Sequence, residues 1–461
     1  MTSNSPSLKK RLINGTSWVF MGYGLSMSLR FGSSLVLTRL LFPEIYGVMS
    51  IVWSFLYAVA MLSDVGAGSA VIQSSKGDDI DFLNTAWCLQ VIRGVFICLV
   101  CVVAGWPMAL LYDKPELALV IPVLGITAIF QGFQSTKALT LQRQVNLKRL
   151  TMLDLLVQII TILLTIVCAY YWKSVWALVP GPLMGELVRA FVSHRLLSDY
   201  NNKLQFNRQN FREIFGFGRW VFMSSAFYFF SRQSDRFLLG YFAGLSFLGI
   251  YSVAAQIIDA IENLVTKLNH SVLYPTLSKI KEDKVKFKEV FYKIRFFYEL
   301  VGFPLLGLLV ILSPMIIGVL YDDRYHEAGW IMQILLCKVA LYAMFTSCET
   351  CLVALGQPRY SSMRNGCKMV WVIVGIPIAW TYADLQGVLL VLVSAELPSV
   401  LFFWPAMARM GVLRIRRELF PLVMFILGAS AGYIANKIIL EGLPISLDIL
   451  KNFLKETNTF I

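Results

Sequence analysis

The sequence predicts an all-α integral membrane protein with two parallel six-helix lobes, related by a pseudo-two-fold axis along the membrane normal, plus about one additional C-terminal helix. Of the 461 residues, 57% are apolar and only 15% are charged. Apolar stretches recur from Ile13 to Leu440, each near the ~20 residues that a helix needs to cross ~30 Å of hydrocarbon. They lack the polar/apolar alternation of an outer-membrane barrel, so we interpret them as helices.

Thirteen membrane spans are predicted, with ends uncertain by several residues. They lie at about 13–38, 48–66, 83–111, 117–136, 152–172, 174–193, 215–243, 246–272, 297–320, 328–355, 369–383, 386–407 and 419–440. Residues 1–200 then form the N-lobe with helices 1 to 6, and 201–410 the C-lobe with helices 7 to 12. Residues 411–461 hold the additional helix and a tail, in which 446–457 is a candidate amphipathic helix. Whether the count is 12, 13 or 14 stays open.

The distribution of Lys and Arg over the connecting loops predicts the orientation, because cytoplasmic loops carry most of these residues. With the N-terminus inside, the inside loops are basic and the outside loops nearly neutral. The inside set includes Arg295, Arg364 and Lys368. Because the first apolar run continues past Arg30 without a small-residue cleavage site, we interpret it as an uncleaved helix.

An internal repeat supports the two-lobe arrangement. The first and seventh spans align without a gap, so that the segment 18–21 (WVFM) falls on 220–223 (WVFM) and Arg30 falls on Arg232. Gly47 then falls on Gly249. An even number of helices per repeat makes the halves parallel, one of the two repeat plans of transporters.

Several function classes are disfavoured by the sequence. The net charge of +13 lies in loops rather than on a soluble basic module, so no nucleic acid is expected as a partner. No phosphate-binding loop or zinc motif occurs, so no catalytic residue, metal or cofactor is predicted. The eight cysteines lie nearly all within apolar runs, where a free thiol packs as a small hydrophobe.

Three segments carry recognisable motifs: residues 38–47 (TRLLFPEIYG), residues 141–149 (LQRQVNLKR) followed by 176–179 (WALV), and residues 235–240 (DRFLLG). They resemble segments of bacterial polysaccharide exporters of the Wzx (O-antigen flippase) type, in the colanic-acid-exporter-like branch of the multidrug/oligosaccharidyl-lipid/polysaccharide flippase superfamily. The resemblance covers about residues 10–410.

The resemblance implies a function and its partners. It implies a flippase that moves undecaprenyl-pyrophosphate-linked oligosaccharide repeat units across the bacterial inner membrane for capsule, exopolysaccharide or O-antigen lipopolysaccharide. Its partners would be the lipid-linked oligosaccharide, the phospholipid membrane, and polysaccharide polymerase and export machinery. A multidrug or cation antiporter of the same superfamily and a membrane glycan polymerase or glycosyltransferase remain alternatives.

Charges inside the predicted spans are candidate site residues, since each costs ~3 kcal/mol near the bilayer centre and must face a cavity or a partner. Arg30, Arg232, Arg236 and Arg93 are the candidates for binding an anionic substrate. The alternative is structural pairing, of Arg236 with Asp235 or Asp64 and of Arg93 with a carboxylate.

Two further sets of residues have weaker assignments. Asp235, Glu186 and Glu396 are candidates for ion coupling or charge pairing. On the cytoplasmic side, Arg143, Lys148 and Arg149 are candidates for receiving a lipid pyrophosphate. Retaining the topology and binding anionic lipid are simpler explanations for these three bases.

Overall fold

The computed structural model describes residues 8–64, 66–74, 76–143, 147–196 and 200–442, and of residues 8–20, 69, 73, 147, 216–228 and 439–442 it describes the backbone alone. Within these ranges the chain is helical and contains no strand, which confirms the predicted all-α class. The predicted tail helix at 446–457 and the side chains of the matching WVFM segments lie outside the described residues.

The helices fall into two compact units, Met1–Gly249 and Ile250–Ile461. The first contains α1 (Leu8–Leu40), α2 (Pro43–Leu62), α3 (Ala67–Gln73), α4 (Ile80–Leu111), α5 (Leu117–Gly132), α6 (Lys137–Arg143), α7 (Leu147–Trp172), α8 (Pro180–Ser193), α9 (Arg208–Phe242) and the first turn of α10 (Leu245–Leu268). The second contains the rest of α10, α11 (Tyr274–Lys279), α12 (Lys284–Leu320), α13 (Ala328–Ala354), α14 (Arg359–Ser394), α15 (Val400–Arg409), α16 (Ile415–Glu418) and α17 (Phe420–Gly442). The lobe boundary at residue 200 remains a prediction.

By length and composition, nine helical stretches among the described residues can cross a membrane, or ten if α5 and α6, which meet at a 62° bend, form one span. One stretch, Arg359–Arg409, has 51 residues and at 1.5 Å per residue is more than twice the ~30 Å of hydrocarbon. It is broken at Ala383 and Asp384, whose backbone angles are not helical. Two crossings therefore fit it, and the break lies between the predicted spans 369–383 and 386–407.

The helices α1 and α9 are 33 and 35 residues long but are outside that set of nine. Each carries arginines within its length, including Arg30 and Arg232. If both cross the membrane, and the bent pair and the two halves of Arg359–Arg409 each count as spans, the described helices reach the predicted thirteen.

A reciprocal contact joins the starts of α2 and α10. A Cβ on Gly47 would lie 1.8 Å from the carbonyl oxygen of Leu245, and a Cβ on Gly249 would lie 1.7 Å from that of Pro43. Pro43 and Leu245 are themselves equivalent under the sequence repeat. The contact of Gly47 with Leu245 therefore has the same form as the contact of Gly249 with Pro43. Such a reciprocal contact is typical of elements related by a two-fold axis, so this arrangement is consistent with the predicted pseudo-two-fold axis.

Close glycine packing also holds the last described helix. Gly428 of α17 lies against the backbone of Pro304, with its would-be Cβ 2.0 Å from that carbonyl oxygen, and Gly307 of α12 lies equally close to Phe425. Small residues allow two membrane helices to approach in this way. The additional C-terminal helix is thus packed on α12 within the second unit.

The prediction that Arg295, Arg364 and Lys368 lie in cytoplasmic loops is wrong. All three lie in helices and are buried, with 0%, 4% and 6% of their surface exposed. The helix α12 begins at Lys284 rather than near 297, because the side chain of Asp283 accepts hydrogen bonds from the amides of Val285 and Lys286 and caps the helix start. Hydropathy detects the apolar part of a helix but not a capped polar extension.

Candidate functional site

Of the four arginines predicted to bind the substrate, Arg30 lies in α1, Arg232 and Arg236 lie in α9, and Arg93 lies in α4, all within the first unit. Arg30 is exposed, and among the described residues its guanidinium has no ion-pair partner. Arg232 is half-buried in α9. Beside it Gln233 accepts a hydrogen bond from the hydroxyl of Ser54 in α2, at 3.3 Å. Because a bare guanidinium in hydrocarbon is costly, Arg30 requires water, a headgroup or a ligand beside it.

Arg93 of α4 has partners of its own. Its guanidinium donates to the carbonyl oxygen of Ala60 at 2.5 Å and to the hydroxyl of Ser63 at 3.2 Å, and lies 3.8 Å from the Asp64 carboxylate. These acceptors form the C-terminal end of α2, where a cation satisfies the last carbonyls and the helix dipole. The contacts favour the structural alternative for Arg93.

Asp235 and Arg236 are adjacent and both half-buried in α9. The backbone amide of Arg236 donates to the carboxylate of Asp235 at 2.9 Å. This contact fixes the Asp235 carboxylate against its own helix and leaves the assignment of the Arg236 guanidinium a prediction.

The two other candidate carboxylates lie in polar networks. Glu186 of α8 accepts a hydrogen bond from Gln134 at 2.9 Å and lies 3.7 Å from Arg189, which also pairs with Asp154. Glu396 is fully buried and pairs with Arg364 at 2.9 Å and with Lys368 at 2.8 Å. Two cations on one carboxylate favour the charge-partner assignment of Glu396 over ion coupling.

The three candidate entry bases differ in their surroundings. Arg143 donates to the carbonyls of Val71, Ile72 and Ser74 at the end of α3 and lies 3.2 Å from Asp78. Arg149 donates to the carbonyl of Leu196 at 2.8 Å, and Lys148 is exposed. Arg143 thus caps the C-terminal end of the short helix α3, a role that the sequence did not indicate.

Sequence reasoning missed the cations of two buried ion clusters in the second unit, although it identified Glu396 in one of them. In the first, Arg295 contacts Glu418 at 2.8 Å and Glu299 at 2.7 Å, while Tyr292 donates to Glu418 at 2.8 Å. In the second, Arg364 bridges Glu349 and Glu396 next to Lys368. The four-residue spacing of Arg295 and Glu299 was the available signal, since residues four apart share a helix face.

Comparison with known proteins agrees with this architecture. The model of the polysaccharide biosynthesis protein family matches residues 36–329, more than half of the chain. The chain belongs to this family. It is 22% identical over 338 residues to the lipopolysaccharide biosynthesis protein WzxC of Escherichia coli (strain K12), which covers 73% of this chain and 68% of that protein.

Two further relatives have names from the same field. The teichuronic acid biosynthesis protein TuaB of Bacillus subtilis (strain 168) is 21% identical, over 76% of this chain and 73% of its own length. The succinoglycan biosynthesis transport protein ExoT of Rhizobium meliloti (strain 1021) is 19% identical, over 82% of this chain and 74% of its own length.

Among solved structures, the lipid II flippase MurJ in an inward closed conformation aligns with a TM-score of 0.68 at 13% identity, covering 94% of this chain and 99% of MurJ. An inward-facing MATE multidrug transporter of the MOP superfamily aligns with a TM-score of 0.60 at 14% identity, covering 84% of this chain and 95% of that one. At these identities the comparison shows that this chain shares its fold with the two proteins. This chain is a multi-pass membrane protein.

Proposed function

We propose that this protein flips undecaprenyl-pyrophosphate-linked oligosaccharide repeat units from the inner to the outer leaflet of the bacterial inner membrane by alternating access. The observation that carries the proposal is Arg30, a cation within the membrane helix α1 that has no ion-pair partner among the described residues. Its repeat equivalent, Arg232, is the second cation of the proposed site. Two arginines suit a pyrophosphate because each guanidinium presents a planar fork of donors.

The names of the relatives support this substrate class. Lipopolysaccharide, teichuronic acid and succinoglycan biosynthesis all occur among them, and a lipid II flippase shares the fold. These names favour the transport of glycan carriers over drug export and over glycan polymerisation. Undecaprenyl pyrophosphate as the carrier, and polymerase and export machinery as protein partners, are part of the proposal.

The membrane potential supplies a driving force in the proposed direction. With the inside negative, each negative charge that moves outward gains ~2.3 kcal/mol per 100 mV. A pyrophosphate head that crosses unneutralised therefore gains several kcal/mol. Cationic residues in the cavity lower the barrier that the hydrocarbon opposes to this movement.

The orientation is tested by reporter fusion. With the N-terminus cytoplasmic, Lys284 at the start of α12 lies inside and Asp323 beyond its end lies outside. A reporter enzyme active only in the periplasm is expected to be silent when fused after Lys284 and active when fused after Asp323. The opposite pair of activities contradicts the proposed orientation, and immunoblotting for both fusions controls for expression.

The function is tested by replacing the two arginines. Arg30→Ala and Arg232→Ala are expected to leave the protein in the membrane but to stop surface polysaccharide export, with lipid-linked repeat units accumulating on the inner leaflet. Lysine is expected to restore export only partly, because it keeps the charge but loses the bidentate fork. Surface polysaccharide, lipid-linked intermediates and membrane abundance are measured together.

Arg93→Ala is the contrasting variant. Its loss removes contacts to the end of α2, so abundance is expected to fall before any specific loss of export. Normal export by both Arg30→Ala and Arg232→Ala at normal abundance removes these arginines from the mechanism. Normal export by cells that lack the protein entirely contradicts the proposed function itself.

A further inference from the structure

A basic surface lies in the second unit, where the first turns of α12 contact residues 411–418. The ammonium of Lys288 donates a hydrogen bond to the carbonyl oxygen of Gly411 at 3.0 Å, and the hydroxyl of Tyr292 accepts a hydrogen bond from the backbone amide of Arg414 at 2.8 Å. These contacts join two segments that are far apart in the sequence. We call Lys288, Arg414 and Arg417 the α12 basic face.

Two of its guanidinium groups rest on aromatic rings. The guanidinium of Arg414 lies 5.6 Å from the ring centre of Tyr292, and that of Arg417 lies 5.5 Å from the ring centre of Phe296. Both distances fall within the ~6 Å range of a cation–π contact. The two rings are four residues apart and share one face of α12, about 6 Å from each other along the axis. A guanidinium held over a ring keeps N–H edges free for further acceptors.

The neighbouring carboxylate is already engaged. Glu418 is fully buried, and its oxygens accept from Arg295 at 2.8 and 2.9 Å and from Tyr292 at 2.8 Å. Glu418 therefore anchors the turn that carries Arg417 without neutralising it. Among the described residues neither Arg414 nor Arg417, both exposed, has a carboxylate within ion-pair distance. The face thus holds positive charge in a fixed geometry, and no carboxylate of the described residues is in ion-pair contact with its guanidinium groups.

We propose that the α12 basic face binds the phosphate of an anionic lipid headgroup. A lipid is favoured over a free phosphate because the same turn exposes apolar side chains, with Ile415 and Leu419 58% and 45% accessible. Headgroup phosphates occur both in acidic phospholipids and in polyprenyl pyrophosphates. Only the placement of this face at the cytoplasmic leaflet rests on the proposed function, through the orientation of the helices.

The proposal is tested on the purified full-length protein in detergent by native mass spectrometry, with dioleoyl phosphatidylglycerol and farnesyl pyrophosphate as separate probes. The double variant Arg414→Gln/Arg417→Gln is expected to bind at least one probe tenfold more weakly. The matched control Arg409→Gln/Arg416→Gln removes the same charge from exposed positions with no ring beneath them among the described residues, and is expected to stay within twofold of the wild type.

The probe whose binding is lost in Arg414→Gln/Arg417→Gln identifies the source of the phosphate. Loss of phosphatidylglycerol alone assigns the face to bulk acidic phospholipid, loss of farnesyl pyrophosphate alone assigns it to the carrier, and loss of both assigns it to the shared group. Equal weakening of the two double variants means that charge alone attracts lipid, and it overturns the proposal. Unchanged binding by Arg414→Gln/Arg417→Gln also overturns the proposal. Because no transport is measured, these outcomes do not depend on whether the protein flips its substrate.

A third variant separates geometry from charge. Phe296→Leu keeps every charge but removes the ring under Arg417, and is expected to weaken binding about threefold. Phe297→Leu makes the same change at the neighbouring exposed ring, over which no guanidinium lies among the described residues, and is expected to bind like the wild type. Because Phe296 also stacks on Phe420 at 5.4 Å between ring centres, thermal unfolding of both variants accompanies the binding measurement. A folded Phe296→Leu variant that binds like the wild type contradicts the role assigned to the ring.

Discussion

Gly47→Ala is expected to lower the melting temperature of the purified protein strongly and to reduce its abundance in the membrane. The added methyl group would lie 1.8 Å from the carbonyl oxygen of Leu245, so the starts of α2 and α10 must move apart. Overpacking typically costs ~1–3 kcal/mol, and a clash with backbone belongs at or above the upper end of that range. Thermal unfolding in detergent and immunoblotting of membranes measure the effect.

The internal repeat makes this prediction sharper. Gly249→Ala is expected to cost about as much, because its methyl group would meet the carbonyl oxygen of Pro43 at 1.7 Å. The double variant should cost less than the sum, since one separation of the helices relieves both clashes. Gly302→Ala is the matched control, because nothing lies within 4 Å of its would-be Cβ and alanine favours a helix. Full additivity would show that the two glycines act at independent contacts.

Arg295→Met is expected to destabilise the second unit by ~3–5 kcal/mol, because it leaves the buried carboxylates Glu299 and Glu418 without their cation. Abundance in the membrane should fall accordingly. The matched control Arg409→Met removes the same side chain from an exposed position and is expected to have little effect. Denaturation in mixed micelles gives the free energy of unfolding of each variant.

Replacing the whole cluster distinguishes lost charge from lost volume. In the triple variant Arg295→Met/Glu299→Gln/Glu418→Gln this cluster holds no buried ion, so much of the stability is expected to return. A triple variant as unstable as Arg295→Met would show that the shape of the arginine, rather than the balance of charge, holds α12 against α16 and α17.

The helices themselves were predictable from the sequence. Each apolar run that gave a predicted span lies in the longer described helices, whereas the short helices α3, α6, α11 and α16 were not predicted. The break inside Arg359–Arg409 was expected between 383 and 386. Hydropathy is a property of each segment alone, so membrane spans can be predicted without knowing which segments pack against one another. The register that aligns Gly47 with Gly249 was also visible, although the sequence could not tell that the two glycines pack reciprocally.

The candidate site was only partly predictable. The sequence identified Arg30, Arg93 and Arg232 as charges within apolar runs, and it posed the choice between cavity and pairing. The neighbours favour one answer for Arg93, which contacts the end of α2. Glu396 was identified as well, but the two cations beside it come from α14, a separate helix before it in the chain.

By itself, then, the sequence determined that this is an all-helical membrane protein and predicted an internal repeat, because length, hydropathy and repeated residues are local properties of the chain. Tertiary structure decided which charges are buried and with whom. Arg295 and Arg364 read as loop residues because their segments are polar, yet helix capping extends α12 upstream of its apolar run and packing brings Glu418, distant in sequence, onto Arg295. Burial of a charge depends on the partner that packing supplies, and one segment of sequence does not contain that information.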